Sequence, residues 1–226
     1  MKFNEINSKN INITQEFARL HAHICGDGYI EKIYSKRSEK SLIDHPRKNL
    51  IQDRYYVRYV NKENILVNQF IKDVKSVFGR KVTKLRRFEY EVCGKWIYDI
   101  FYNPGALKSY NWFIPSRIMN SNKLVKKEWL KAIFDDEGYI AKNQIELGIV
   151  NKKAINQIQK LLKNFKIKTK LYKPYIPKNP KHRIVYRISI QRENVLKYFK
   201  CIGFSHNQKR KKLLKLVNKI SGTAGI

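Results

Sequence analysis

The chain has 226 residues, 42% of them hydrophobic, which suffices to bury an ordinary core in one large domain or two small ones. Its 48 Lys and Arg against 18 Asp and Glu leave a formal net charge of +30 spread along the whole length, which excludes a confined basic tail and makes a polyanion, nucleic acid before anionic membrane, the expected partner. No apolar run approaches the roughly 18 residues of a membrane span, the first fifteen residues carry no apolar signal core, and Cys25, Cys93 and Cys201 form no metal-ligand spacing, so a soluble, intracellular protein with reduced, mostly buried thiols is expected.

Taken in chain order, Glu16 to Cys25 has apolar residues at helical spacing and runs into Gly28, a helix-ending residue. His21 and His23 lie on that helix two residues apart, about 200° around its axis, so they are expected to pack rather than to share an ion. Tyr29 to Ile33 and Tyr55 to Val60 are rich in aromatic and β-branched residues and predict two strands, separated by a polar loop around Tyr34 to Asp53 that contains Pro46. A helix follows over Asn64 to Phe78, then strands at Val82 to Leu85 and Tyr90 to Cys93. Pro115 to Leu124 carries turn residues and is expected to join two halves. The same order then recurs: a helix over Lys126 to Asp136 ending at Gly138, strands at Tyr139 to Ile140 and Ile145 to Val150, and a helix over Ala154 to Phe165. Strands at Lys168 to Tyr172 and Ile184 to Ile190 come next, and a Lys-rich amphipathic helix over Asn207 to Ile220 closes the chain.

The recurrence extends to residues. Leu20 to Lys32 matches Leu130 to Lys142, with Leu, Ala, Gly-Tyr-Ile and Lys retained. Asn61-Lys62 aligns with Asn151-Lys152, and Lys81 to Leu85 with Ile167 to Leu171. A helix ending in Leu-x-Ala-x-x-x-x-Asp/Glu-Gly, present twice, resembles the LAGLIDADG family of homing endonucleases, and the doubled form resembles its single-chain members. The nine motif positions fall on Leu20 to Gly28 and Leu130 to Gly138. Cys25 stands where the motif has its first Asp, and Asp136 where it has a small residue, which either loosens the contact between the helices or adds a carboxylate near the metals.

The resemblance implies an α+β fold of two pseudo-symmetric αββαββα half-domains, with motif helices packed at the interface through Ala22, Gly26, Ala132 and Asp136 and a saddle of antiparallel strands for DNA. Residues 1–116 would form the N-terminal half, 117–124 the linker and 125–226 the C-terminal half. Asp27 and Glu137 take the positions of the metal-binding, catalytic acids. Asn61, Lys62, Asn151 and Lys152 take those of polar water-orienting residues followed by basic ones, with phosphate anchoring as their simpler role. Hard carboxylate ligands suit Mg²⁺, with Mn²⁺ or Ca²⁺ as substitutes for binding, and such a site completes itself with water and phosphate oxygens. One acid per half fits the hydrolysis of two strands at a shared interface.

Basic and aromatic residues alternate along the strands, as a ribbon lying in the major groove of double-stranded DNA requires. In the first half these are Arg54, Tyr56, Arg58, Lys84 and Arg86. In the second they are Lys168, Lys170, Tyr172, Arg183, Arg187 and Arg192. The expected activity is that of a monomeric, site-specific double-strand DNA endonuclease acting at a long asymmetric target. The alternative is a non-cleaving nucleic-acid binder on the same fold, an RNA intron maturase or a transcription regulator. A ribosomal-type RNA-binding protein explains the charge but not the paired acids.

Overall fold

The computed structural model describes residues 11–36, 51–102 and 110–222. Helix α1 (Gln15–Cys25) starts where the Thr14 hydroxyl accepts from the Phe17 N–H at 3.2 Å, with Glu16 in the first turn beside the positive end of the helix dipole. It feeds the hairpin β1 (Gly28–Lys36) and β2 (Ile51–Val60), then α2 (Asn64–Phe78), the hairpin β3 (Thr83–Arg86) and β4 (Glu89–Cys93), and α3 (Lys95–Tyr102). After the one-turn helix α4 (Ser116–Met119) the order repeats as α5 (Lys123–Glu137), β5 (Gly138–Ile140), β6 (Gln144–Ile149), α6 (Lys152–Lys163), β7 (Lys170–Leu171), β8 (Tyr186–Gln191) and α7 (Glu193–Cys201). A last helix, α8 (Asn207–Gly222), is appended. Both sheets are antiparallel and share one strand order, β1-β2-β4-β3 and β5-β6-β8-β7, so the expected α+β fold of two αββαββα units is present.

The core lies between helices and sheets and is continuous across the two units, with Phe17, Leu20 and Ile24 of α1 and Trp129, Ile133 and Phe134 of α5 buried in one cluster. Helices α1 and α5 pack on each other, and Ala22 and Ala132 are both buried. A Cβ placed on Gly26 would stand 2.8 Å from Asp136 Cβ, so nothing larger than glycine fits where the two helix ends meet. Gly26 and Asp136 occupy equivalent positions in the two motifs, which puts this contact on the pseudo-twofold axis. Gly28 and Gly138 have a different task. A Cβ there would meet Ile24 Cα at 2.6 Å or the Phe134 carbonyl oxygen at 2.7 Å, because each strand doubles back against the last turn of its helix. Arg19 of α1 adds a polar tie, donating to both carboxylate oxygens of Asp73 on α2 at 2.8 Å and to Glu128 of α5 at 3.0 Å.

Several elements differ from the sequence expectation. The β1–β2 ladder continues outward to Lys36 and Ile51, so the two ends of the expected Tyr34–Asp53 loop are strand, and Pro46 lies outside the described residues. The helix that closes the second unit is α7, the counterpart of α3, and among the described residues α8 has no partner in the first unit. The connection between units is not a free tether: Trp112, Ile114 and Ile118 are buried, and Gln157 of α6 bonds both the N–H and the carbonyl of Ile114 at 2.9 Å. Among the cysteines, Cys25 is buried but Cys93 is exposed and Cys201 half-buried.

Candidate active site

Asp27 and Glu137 stand just past and at the ends of α1 and α5, and the packing of those helices brings them into one charged cluster. Burial, with the Asp136 charge nearby, raises the Asp27 carboxyl to about 6 against the pull of Lys209, His23 and Asn61. Burial raises Glu137 to about 7, with Asp27 and Asp136 adding to it and Lys209 opposing. Carboxyls held this far above their ordinary range by desolvation and by one another form a site that gains from a cation. A cleft opens on the Asp27 side, lined by Asp27, Asn61, Lys62, Glu63, Asp136 and Lys209 among others, with Glu137 outside its lining. Among the described residues no three His, Cys, Asp or Glu side chains form a ready-made cage. Two carboxylates with room for phosphate and water fit Mg²⁺, which keeps much of its hydration shell, and do not fit a structural zinc site.

The paired Asn-Lys residues do not end up equivalent. Gly28 pairs with Tyr59 and Gly138 with Leu147, so the counterpart of Asn61 is Ile149, and Asn151 lies two residues further on. The Asn61 amide donates to Asp27 Oδ2 at 3.0 Å, while its own oxygen accepts from the Glu63 N–H, which fixes both groups. Asn151 is buried and its side chain is spent elsewhere, capping α6 through the Ala154 N–H and donating to the Trp112 carbonyl. The structure therefore corrects the reading of Asn151 as a site residue: local sequence similarity misaligned the strands by two residues, which preserves the face but moves the side chain past the acid. Lys62 lines the cleft, whereas Lys152 is exposed in the first turn of α6.

Asp136 does not loosen the helix contact, and it adds a carboxylate whose charge acts on both Asp27 and Glu137. Its carboxylate accepts from His23 Nδ1 at 2.9 Å and from the Tyr59 hydroxyl at 2.9 Å, bridging the two motif helices. Burial works against a charged His23, but Asp136 outweighs it and the imidazole pKa is raised. His21 Nδ1 accepts from Trp129 Nε1 at 3.2 Å and lies 3.5 Å from Cys25 Sγ, so both histidines pack at the interface, as the spacing implied.

A second group of residues at the site carries no signal in the sequence. Asp135 accepts from the backbone N–H groups of Ser205 and His206 ahead of α8, and Lys209 of α8 donates back to the carbonyls of Phe134, Asp135 and Asp136. Burial raises Asp135 to about 6 despite those two donors. Lys209 is one cation among six in α8, and no local pattern distinguishes it.

Residues expected at the strands fall into two groups. Val57 and Tyr59 of β2 are buried, so Arg54, Tyr56 and Arg58 alternate onto the open face, joined by Arg86. In the second sheet Lys170 pairs with Ser189 opposite Glu146, which places Lys170 and Arg187 on the open face, with the Tyr172 hydroxyl beside Gln144. Lys84 pairs with Tyr90, which packs against the core, so its side chain is at the helix side of the sheet edge. Arg58 is already held, donating to Glu91 at 2.7 Å and Glu31 at 2.6 Å. Lys168, Arg183 and Arg192 are exposed off the strands, Arg183 over the Tyr110 ring at 3.7 Å.

Comparisons with known proteins agree with this architecture. Residues 125–203 match the model of a LAGLIDADG-like domain. Among curated proteins, the chain is 27% identical over 95% of its length to the probable translation initiation factor IF-2 of Methanocaldococcus jannaschii. It is 29% identical over 85% to the replication factor C small subunit of the same organism. It spans only 20% and 9% of the lengths of those relatives. Among solved structures, the homing endonuclease I-DmoI in complex with DNA and Mn superposes with a TM-score of 0.60 at 18% identity, covering 84% of this chain and 97% of that one. I-DmoI has also been solved with its target DNA in the presence of Mg and with DNA and Ca. Full-length DUF199/WhiA of Thermotoga maritima gives a TM-score of 0.52 at 10% identity, covering 95% and 62%. Residues 125–203 are thus similar to a LAGLIDADG-like domain, and the chain shares the fold of the homing endonuclease I-DmoI.

Proposed function

We propose that this chain is a divalent-metal-dependent, site-specific double-strand DNA endonuclease. The proposal is supported by the packing of the two motif helices, which end at Asp27 and Glu137, and by the burial of both acids, with the Asp27 charge acting on Glu137. Asp27 and Glu137 hold the metal, Asn61 fixes the orientation of Asp27, and Lys62 faces the scissile phosphate from the cleft wall. A divalent ion bound there polarises the phosphate and lowers the pKa of its water, and Mg²⁺ is the ion whose coordination the donors fit best. The open faces of the two sheets, with Arg54, Tyr56 and Arg86 on one and Lys170, Tyr172 and Arg187 on the other, grip the duplex on either side. Lys168, Arg183 and Arg192 extend the contact to the backbone. Because the halves differ, the target is asymmetric, and the chain acts as a monomer. Similarity to segments of two proteins with unrelated names supports a module that travels between hosts, as a homing element does.

A second reading, a non-cleaving nucleic-acid binder on the same fold, is favoured by Cys25, which stands at the motif's first acidic position and which burial keeps as a neutral thiol. A plasmid-library cleavage assay separates the two. The wild type with Mg²⁺ is expected to cut one defined sequence, and Asp27→Asn and Glu137→Gln each to slow cutting at least about 100-fold while retaining binding, as loss of a group acting in the transition state does. Tight binding to a defined duplex or RNA with no cut in Mg²⁺ or Mn²⁺ overturns the nuclease reading.

A further inference from the structure

Lys209 is a cation at the acid cluster that neither motif nor the strands beside it supply. It comes from α8, which has no counterpart among the described residues of the first unit, and its ammonium reaches the carbonyls of Phe134, Asp135 and Asp136 at the C-terminal end of α5. Those carbonyls form the negative pole of the helix, where the Phe134 oxygen also accepts from the Gly138 N–H. Burial lowers the Lys209 pKa, and the attraction of Asp136, Asp135, Asp27 and Glu137 opposes it, so the ammonium faces all four acids. The clamp is reciprocal, since Asp135 accepts from the N–H groups of Ser205 and His206 and so anchors the chain just ahead of α8. Lys209 is half-buried, whereas Arg210, Lys211, Lys212 and Lys215 of the same helix are exposed.

We propose that Lys209 is a positioning residue and resident counter-cation of the site: it holds the end of α5 in place, keeps Asp27 and Glu137 together when no divalent ion is bound, and competes electrostatically with that ion for the acids. The proposal rests on the metal-site reading above. It makes the two effects of removing the charge run in opposite directions. Loss of the ammonium removes a repulsion and tightens divalent binding, yet leaves the helix end and its acid misplaced for reaction.

The test uses the full chain. Lys209→Met is expected to bind Ca²⁺ several-fold more tightly in the absence of DNA, measured by calorimetry. Single-turnover cleavage at saturating Mg²⁺ and DNA is expected to fall at least about 10-fold, with duplex affinity held within about threefold. Lys209→Arg, which retains the charge and the carbonyl contacts, is expected to restore both. Weaker Ca²⁺ binding in Lys209→Met, or unchanged cleavage, overturns the proposal. A wild type that binds Ca²⁺ but never cuts overturns the nuclease reading instead, and the calorimetric comparison still decides the role of Lys209. If Lys209→Met does not fold, competitive acetylation of the wild type decides: Lys209 is expected to react about tenfold more slowly than Lys211, and equal rates overturn the proposal.

Discussion

His23 and Asp136 are each, taken alone, a poor choice for a helix interface, since a buried charge without a partner costs several kcal/mol. Together, with the Tyr59 hydroxyl on the second carboxylate oxygen, they satisfy one another. Asp136→Ala is therefore expected to destabilise the fold by roughly 3–5 kcal/mol. The double variant with His23→Ala should cost less than the sum of the two singles by on the order of 1 kcal/mol in urea unfolding, and strict additivity would show that the pair is not coupled. Asp27 and Glu137 act in the other direction. Their folded pKa values, about 6 and about 7, lie above the ordinary 3.8 and 4.5. The folded state thus binds more protons between the two sets, and the stability that protonation supplies is present below about pH 4 and lost as pH rises through about 7. Without divalent ions, thermal unfolding should show a higher midpoint near pH 5 than near pH 8. Asp27→Asn with Glu137→Gln should flatten that difference, and added Ca²⁺ should raise the midpoint more at pH 8 than at pH 5. The acids were legible in the sequence because they end two matching helices. The partner of His23 was not, because 113 residues separate it from Asp136.

At the scale of elements, periodicity located the motif helices, α2, α6 and the hairpins, since each buries a face whose period the sequence shows directly. It missed α3 and α7 as separate helices, both being short, and it misaligned Asn151 because strand register is set by pairing partners rather than by local similarity. The attachment of α8 to α5 was also out of reach, as it runs through backbone groups. That attachment makes a prediction: Asp135→Ala leaves the N–H groups of Ser205 and His206 without their acceptor and should cost roughly 1–3 kcal/mol. Hydrogen exchange should accelerate in the first turns of α8 and not in α1. Equal acceleration in both helices would mean that Asp135 supports the whole interface instead.

For the molecule as a whole, the net charge of +30 sets how it meets a polyanion. Duplex affinity should fall linearly on a double-logarithmic salt plot with a slope near −0.9 per phosphate neutralised. Arg54→Gln should reduce that slope by about one. Arg58→Gln should leave it close to the wild-type value, because Arg58 is already neutralised by Glu31 and Glu91. Equal effects of the two substitutions would show that the ion pairs open when the duplex arrives. The axial contact between Gly26 and Asp136 reaches further. Two copies of the first unit would leave His23 facing glycine with no acid, and two copies of the second would press one Asp136 carboxylate against another in a buried crossing. Each unit is thus shaped for its opposite and not for a copy of itself, and that preference for the unlike partner is written in a single pair of residues.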